Sequence, residues 1–326
     1  MRAYVIRRLA LVIPTIFIAS IIVFIMIRIL PGDVVDRLMM EDPGGEMVDR
    51  RAMIASMGLD APLIVQYGRF LGLAPNMDGN FSGIFQGDLG TSWWRGMSVS
   101  KLIGGAWPVT IELSLLAITI SQFWALPIGI YSAIRQDTWG DYAGRSIAIL
   151  CMSVPAFWIA TMVIVFPSIW WGYMPAIFYI QLFEDPAGNL KMLIVPALIM
   201  GLQMSGLAMR MSRTMMLEVL RQDYIRTAWA KGLRERTIIL RHALKNALIP
   251  VITIIGIQVP VLIGGTVIIE QIFCLPGMGR LLISAVNNRD YPLISGILLV
   301  FAAVLVVANL IVDLTYALLD PRIQYK

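Results

Sequence analysis

Residues 226–250 read RTAWAKGLRERTIILRHALKNALIP. Cations crowd the stretch, yet long apolar runs flank it on both sides. Asp223 stands just before Tyr224-Ile225-Arg226-Thr227-Ala228-Trp229-Ala230-Lys231, and Gly232 follows. An aspartate at the start and a glycine just past the end predict a helix of about two turns. A helix that short does not persist alone in water. A second predicted helix follows it. Ile239, Leu240, Ala243, Leu244, Ala247 and Leu248 fall on one face, and Arg234, Thr237, Arg241 and Lys245 on the other. The short helix therefore needs a surface to lie on. Anionic lipid headgroups and a partner protein fit these residues equally well at this point.

The surrounding chain is a membrane protein. Of its 326 residues 58% are hydrophobic and 14% are charged, far below the quarter usual in soluble domains. Its mean hydropathy is +0.76. The net charge of +5 does not point to nucleic acid, because the cations gather at the ends of apolar runs, where they orient membrane helices. Six runs reach the length needed to cross a bilayer as a helix: 9–30, 107–134, 146–171, 192–211, 249–269 and 293–319. The first follows Arg2, Arg7 and Arg8, but it is too long for a signal-peptide core and no small-residue cleavage site follows it, so it reads as an uncleaved first span.

Charge sets the direction. Arg2, Arg7 and Arg8, the pair Arg135 and Arg145, the segment 210–245 with nine Lys or Arg against three acids, and Arg322 with Lys326 all fall on one side of six spans. Both termini are expected in the cytoplasm. The chain then divides into a stub with the first span (1–30), an outer segment (31–106) and a five-helix core (107–326) whose cytoplasmic loop covers about 212–248. The outer segment contains Pro43-Gly44-Gly45, a helix candidate at 47–57 stopped by Gly58, and another starting at Ala61-Pro62 under an Asp60 cap. It has too few apolar residues for an independent domain, and reads as a lid on the spans.

Polar groups within the spans are few. Ser121, Gln122, Gln203, Ser205 and Gln258 are candidates either for interhelical hydrogen bonds or for lining a cavity. Arg28, Glu112 and Asp313 lie near span ends, where charged groups reach water. Pro14, Pro127, Pro155, Pro196 and Pro260 are candidate kinks. Cys151 and Cys274, at different depths, are expected to be free thiols. His242 is the single histidine, which excludes a zinc site of two or three histidines, and no lysine precedes Ser or Thr, which excludes a Walker A loop. No catalytic or metal-binding residue is expected, and any ATP used must be bound by another chain.

Thr227-Ala228, then Gly232, then Leu248-Ile249-Pro250 resembles the cytoplasmic EAA loop of ATP-binding-cassette importer permeases. Arg226 replaces the usual Glu, and the Gly-to-Pro spacing is longer than the general form; both departures are similar to the dipeptide/oligopeptide permeases, in particular their B-type subunit. Ile6-Arg7-Arg8-Leu9 with Pro14-Thr15, Pro31-Gly32-Asp33, Gly58-Leu59-Asp60, Gly87-Asp88-Leu89-Gly90, Leu275-Pro276-Gly277-Met278-Gly279, Asn288-Arg289-Asp290-Tyr291-Pro292 and Asp320-Pro321-Arg322 extend the resemblance over nearly the whole chain.

The resemblance implies an all-α inner-membrane protein with the six-helix type I importer fold, paired with a second, homologous permease. Two ATPase subunits, holding ATP and magnesium, would lie below it, and an extracytoplasmic substrate-binding protein above. Tyr224, Arg226, Thr227, Ala228, Ala230, Lys231, Gly232, Leu233 and Arg234 would form the ATPase-coupling helix and its turn. Gly87, Asp88, Trp93, Pro276, Gly277, Arg289, Asp290 and Tyr291 would serve the outer gate or the docking of the binding protein. Peptides are the implied cargo; nickel chelates, glutathione and sugars are carried by the same machinery. A stand-alone secondary transporter would need acids at the midplane, of which the spans have few. A membrane enzyme would need the missing histidine or metal clusters, and a scaffold would leave uptake unchanged on deletion.

Overall fold

The computed structural model describes residues 2–29, 35, 39, 50–172 and 179–319. Pro31-Gly32-Asp33, Pro43-Gly44-Gly45, Asp320-Pro321-Arg322 and Lys326 lie outside them. The described residues form helices α1 (Arg2–Ile29), α2 (Arg50–Ser56), α3 (Leu63–Leu71), α4 (Val99–Ile134), α5 (Trp139–Ser153), α6 (Ala156–Trp171), α7 (Pro186–Leu220), α8 (Asp223–Ala230), α9 (Glu235–Thr237), α10 (Leu244–Ile272), α11 (Met278–Asn287) and α12 (Tyr291–Leu319). A π-helical turn, Ile238–Ala243, joins α9 to α10.

Among the described residues, α1, α4, α7 and α12 are long and apolar enough to cross a membrane, and α5 with α6 passes the same test together as a bent pair, a broken span or a re-entrant loop. The remaining apolar run, 249–269, lies in α10, a single helix of 29 residues. Run 146–171 is thus not one helix. α5 starts earlier, at Trp139, and α6 leaves it at 86°. Val154 and Pro155 between them are extended, as a proline imposes on itself and on the residue before it. Pro14, Pro167 and Pro196 sit inside continuous helices. α4 begins at Val99, well before the apolar run, because Lys101 and the Gly104-Gly105 pair dilute hydropathy without breaking helical geometry.

Two compact units divide the chain, Met1–Arg7 with Val109–Pro276 and Val307–Lys326, and Arg8–Pro108 with Gly277–Val306. In the second unit, Phe24 of α1 packs edge-on against Tyr67 of α3, 5.1 Å between centroids, and the Tyr67 hydroxyl lies 2.9 Å from Ser20 Oγ. The Arg28 guanidinium stacks on Phe24 and donates to Gln66 Oε1 at 2.8 and 3.2 Å. α3 therefore lies along the end of α1. Its N-cap is Pro62, without a side-chain cap, so Asp60 does not cap it. The 76–90 stretch is loop with one 3₁₀ turn, Ile84–Gln86.

The first unit holds the main core, where Val109, Leu113, Ala117, Ala160, Leu193, Ala197 and Met200 are buried between α4, α6, α7 and α10. α5 and α7 come so close that a Cβ on Gly206 would lie 2.6 Å from the Ala148 carbonyl oxygen, so only glycine fits there.

Candidate functional site

α8 forms where the capping signals place a short helix, with the start moved by one residue. Gln222 is the N-cap and Asp223 the first helical residue, pairing with Arg226 at 3.3 Å on the exposed face. At the other end Gly232 takes φ +74°. Its N–H donates to the Trp229 carbonyl at 2.9 Å, and the Leu233 N–H reaches back to the Ala228 carbonyl at 3.4 Å. This bond pair is a Schellman stop, which needs a left-handed residue at Gly232. No atom lies within 4 Å of where a Cβ on Gly232 would stand, so conformation alone selects glycine.

Two side chains, Ile225 and Ala228, are buried and fasten α8 to its own chain. They enter a core made with Ala133 of α4, Met216 of α7, Ile238 and Ile239 of the π turn, and Ala243 and Ala247. Asn246 Nδ2 adds a bond to the Tyr224 hydroxyl at 2.8 Å. Everything else on the helix and its turn is exposed: Tyr224, Arg226, Thr227, Trp229, Ala230, Lys231, Gly232, Leu233 and Arg234. Ala228 thus faces inward, whereas its neighbours offer two aromatic rings and three cations outward.

The helix after α8 differs from the uniform amphipathic helix that its spacing predicts. Ile238, Ile239, Ala243 and Ala247 are buried, and Leu240 is half exposed. A π turn holds one residue more than an α turn, so the buried face upstream of Ala243 slips by one position. Ile238 and Ile239 take the places expected for Ile239 and Leu240.

A buried ion pair stands beside this core. Asp141, at the start of α5, is fully buried. It accepts from Arg213 Nε at 2.7 Å and Nη2 at 2.8 Å, from the Asp137 N–H at 3.0 Å and from the Ser132 hydroxyl. The bidentate geometry ties the turn between α4 and α5 to α7. Sequence reasoning missed this pair; the one signal was an acid inside a cation-flanked turn.

The second unit contains a separate polar cluster. Asp290 is buried and accepts from the Ser92 hydroxyl, from the Trp93 N–H at 3.2 Å and from the Leu293 N–H at 3.4 Å in the first turn of α12. The Trp93 ring packs on Tyr291, 5.6 Å between centroids. Gly277 is the N-cap of α11, and Arg289 takes φ +54° between α11 and α12. Asp88 is held by the Ser82 hydroxyl and by the Gly90 N–H, and Gly87 turns the chain at φ +78°. Trp93, Asp290 and Tyr291 are thus brought into one cluster, and Asp88 belongs to a loop turn of its own. Pro276 lies just beyond this unit's boundary.

Residues 125–325 match the family of binding-protein-dependent transport system inner membrane components, and residues 1–114 match that system's N-terminal membrane component. The chain belongs to this family. It is similar to the oligopeptide transport system permease protein AppB of Bacillus subtilis, 38% identical over all of both chains. The dipeptide transport system permease protein DppB of Alkalihalophilus pseudofirmus is 36% identical, again over all of both. The glutathione transport system permease protein GsiC of Salmonella paratyphi A is 33% identical over 99% of each. This permease is therefore a multi-pass inner-membrane component of a transport system, all-α and of the type I ABC importer permease fold.

Within the permease's spans, Ser121, Ser205 and Gln258 are buried and Gln203 is exposed. The Ser205 hydroxyl is spent on the Leu202 carbonyl of its own helix, and Gln258 Nε2 donates to the Met204 carbonyl at 3.2 Å. Gln122 and Gln258 each keep a buried amide oxygen without a donor. None of these five side chains lines the pocket beside Arg145 and Met209 or the one beside Arg28 and Trp93. Two carboxylates near the span ends, Glu112 half-buried and Glu270 buried, accept side-chain hydrogen bonds. Glu112 accepts from the Tyr179 hydroxyl at 2.7 Å and Asn189 Nδ2 at 2.9 Å. Burial, then the Glu112 carboxylate, push the Tyr179 phenol upward, so it stays a donor. Glu270, fully buried, accepts from Thr110 Oγ1 at 2.7 Å.

Proposed function

We propose that this permease is one of two homologous membrane subunits of an ATP-driven peptide importer, and that α8 is the lever on which a partner ATPase acts. The observation that carries the reading is α8 itself. Two buried side chains anchor it, a glycine-dependent stop ends it, and its remaining faces are open. An exposed helix of eight residues gains its stability from packing rather than from propensity, so a partner surface is where its order would come from.

Tyr224, Trp229 and Leu233 would fill an apolar groove on the ATPase, and Arg226, Lys231 and Arg234 would meet acids at its rim. Thr227 and Ala230 complete the contacting face; Ala228 transmits the push into the permease core; Gly232 sets the angle at which the chain leaves. Closure of two ATPases on ATP and magnesium would drive α8, and the five-helix core of 107–326 would turn from inward- to outward-facing. The chain supplies path and lever, and hydrolysis belongs to its partners. Both termini and α8 would lie in the cytoplasm.

Gly87, Asp88, Trp93, Pro276, Gly277, Arg289, Asp290 and Tyr291 would serve the outer gate or the docking of the extracytoplasmic binding protein, with the buried Asp290 cluster serving as an outer latch. Ser121, Gln122, Gln203, Ser205 and Gln258 would supply polar points along the path. Peptide cargo rests on the named transport of oligopeptides and dipeptides by two full-length relatives, and the glutathione relative carries a small peptide as well.

The test is reconstitution. Proteoliposomes holding the permease, its partner permease, the ATPases and the binding protein should accumulate a radiolabelled peptide only with ATP. Uptake driven by an ion gradient without ATP would overturn the reading in favour of a secondary transporter.

A further inference from the structure

A pocket lies between α5 and α7 beside the Asp141 ion pair, and neither α8 nor the Asp290 cluster uses it. Ala148, Ile149, Met152 and Met209 line it, together with Arg145, Arg210 and Arg213. Three guanidiniums face few acids here. Arg213 already takes both oxygens of Asp141. Arg145 Nε lies 3.4 Å from Asp141 Oδ1 without a hydrogen bond, its guanidinium stands over the Tyr142 ring at 4.6 Å, and while Nε and Nη2 are buried without an acceptor, the side chain as a whole is 40% exposed. Arg210 is exposed, with its side chain in no hydrogen bond or ion pair among the described residues. Counting the exposed Asp137, three cations meet two carboxylates, an excess of one positive charge. The exposed part of Arg145 and the exposed Arg210 are open to an anion, which would offset this excess through charge-assisted hydrogen bonds. The walls say which anion. They are mostly apolar and continue onto Ile149 and Met152, which are 63% and 43% exposed on a helix of the bent apolar pair. A free phosphate has no use for such a wall, whereas a phospholipid has one for its chain.

We propose that this pocket seats an anionic phospholipid, its phosphate on Arg145 and Arg210 and an acyl chain along Ile149 and Met152. The proposal stands on membrane embedding alone and is independent of the cargo and of the seat of α8. One arginine near an anionic headgroup is worth about 1 kcal/mol, or about fivefold in affinity.

The whole transporter complex, stripped of lipid in detergent, would be titrated with phosphatidylglycerol and with phosphatidylcholine, and bound lipid counted by native mass spectrometry. Phosphatidylglycerol should be retained in preference, Arg210→Gln should weaken it about fivefold, and Arg210→Lys should keep most of it. Arg145→Gln should act in the same direction; Arg210→Gln carries the decision should that variant fail to assemble. Phosphatidylglycerol bearing a photoreactive acyl chain should label the α5 peptide that contains Ile149 and Met152. Equal retention of the two lipids, or unchanged binding in Arg210→Gln, would overturn the proposal. So would displacement of the lipid by inorganic phosphate, which marks a free-anion site. An unlabelled α5 in the intact complex would overturn it too, because the partner permease would then cover the pocket.

Discussion

Replacing Gly232 separates the two things a glycine can provide. Its φ of +74° lies in the left-handed region, and an added Cβ would meet no atom within 4 Å. A side chain there thus costs backbone strain and no clash. For Ala that strain is about 1–2 kcal/mol; for Asn it is less, because its short amide bonds locally in this conformation. Pro holds φ near −65° and removes the N–H that donates to Trp229 O at 2.9 Å, so it costs about 3 kcal/mol or more and dismantles the stop of α8. A loss of that size lowers the share of complexes with α8 correctly seated about 100-fold. The assay compares ATP hydrolysis with peptide uptake in proteoliposomes carrying the complete complex. Gly232→Asn should transport nearly as wild type, Gly232→Ala several-fold less per ATP, and Gly232→Pro should hydrolyse ATP with almost no uptake while the complex still assembles. Wild-type coupling in Gly232→Pro would refute the reasoning. So would an order that follows side-chain volume, with Asn below Ala.

Other expectations follow from the same contacts. Asp141→Ala leaves Arg213 uncompensated and should cost about 3–5 kcal/mol, read as a lower thermal midpoint in detergent; adding Arg213→Met should recover most of it. Gly206→Leu forces α5 from α7 and should lower the level of folded protein in the membrane, whereas Gly264→Ala, with open space around it, should not. Asp290→Ala frees the Ser92 hydroxyl and the Trp93 N–H, costs about 1–3 kcal/mol locally, and should speed hydrogen exchange around 91–98 with little change elsewhere. Crosslinkers placed at 87–94 and 275–292 should reach the binding protein; capture of ATPase alone would invert the proposed orientation.

Much of the architecture was legible because hydropathy and capping are local. Five apolar runs coincide with continuous helices, Asp223 is the first residue of α8, and Gly232 and Gly58 each stand two residues past the end of a helix. The bend between α5 and α6 was half legible: Pro155 marked a kink, but its 86° size depends on α5 packing against α7, which Gly206 permits. The slip at Ile238–Ala243 was not legible, because an added residue per turn leaves composition unchanged and moves only the face. Asp141 and Arg213 are 72 positions apart, and Ser92 and Asp290 are 198 apart, so nothing local announces either pair. For the polar span residues, Ser205 bonds within its own helix and Gln203 is exposed, outcomes that the rotation of α7 decides and that residue type alone does not announce.

The seat of α8 can be tested by one crosslink. In a permease without Cys151 and Cys274, Thr227→Cys would be placed on the exposed face and a short bifunctional thiol reagent applied to the assembled transporter. A product joining the permease to an ATPase subunit, changing in yield between the nucleotide-free and ATP-bound states, is the predicted result. A Thr227→Cys that labels freely in the intact complex and never joins an ATPase would contradict the account.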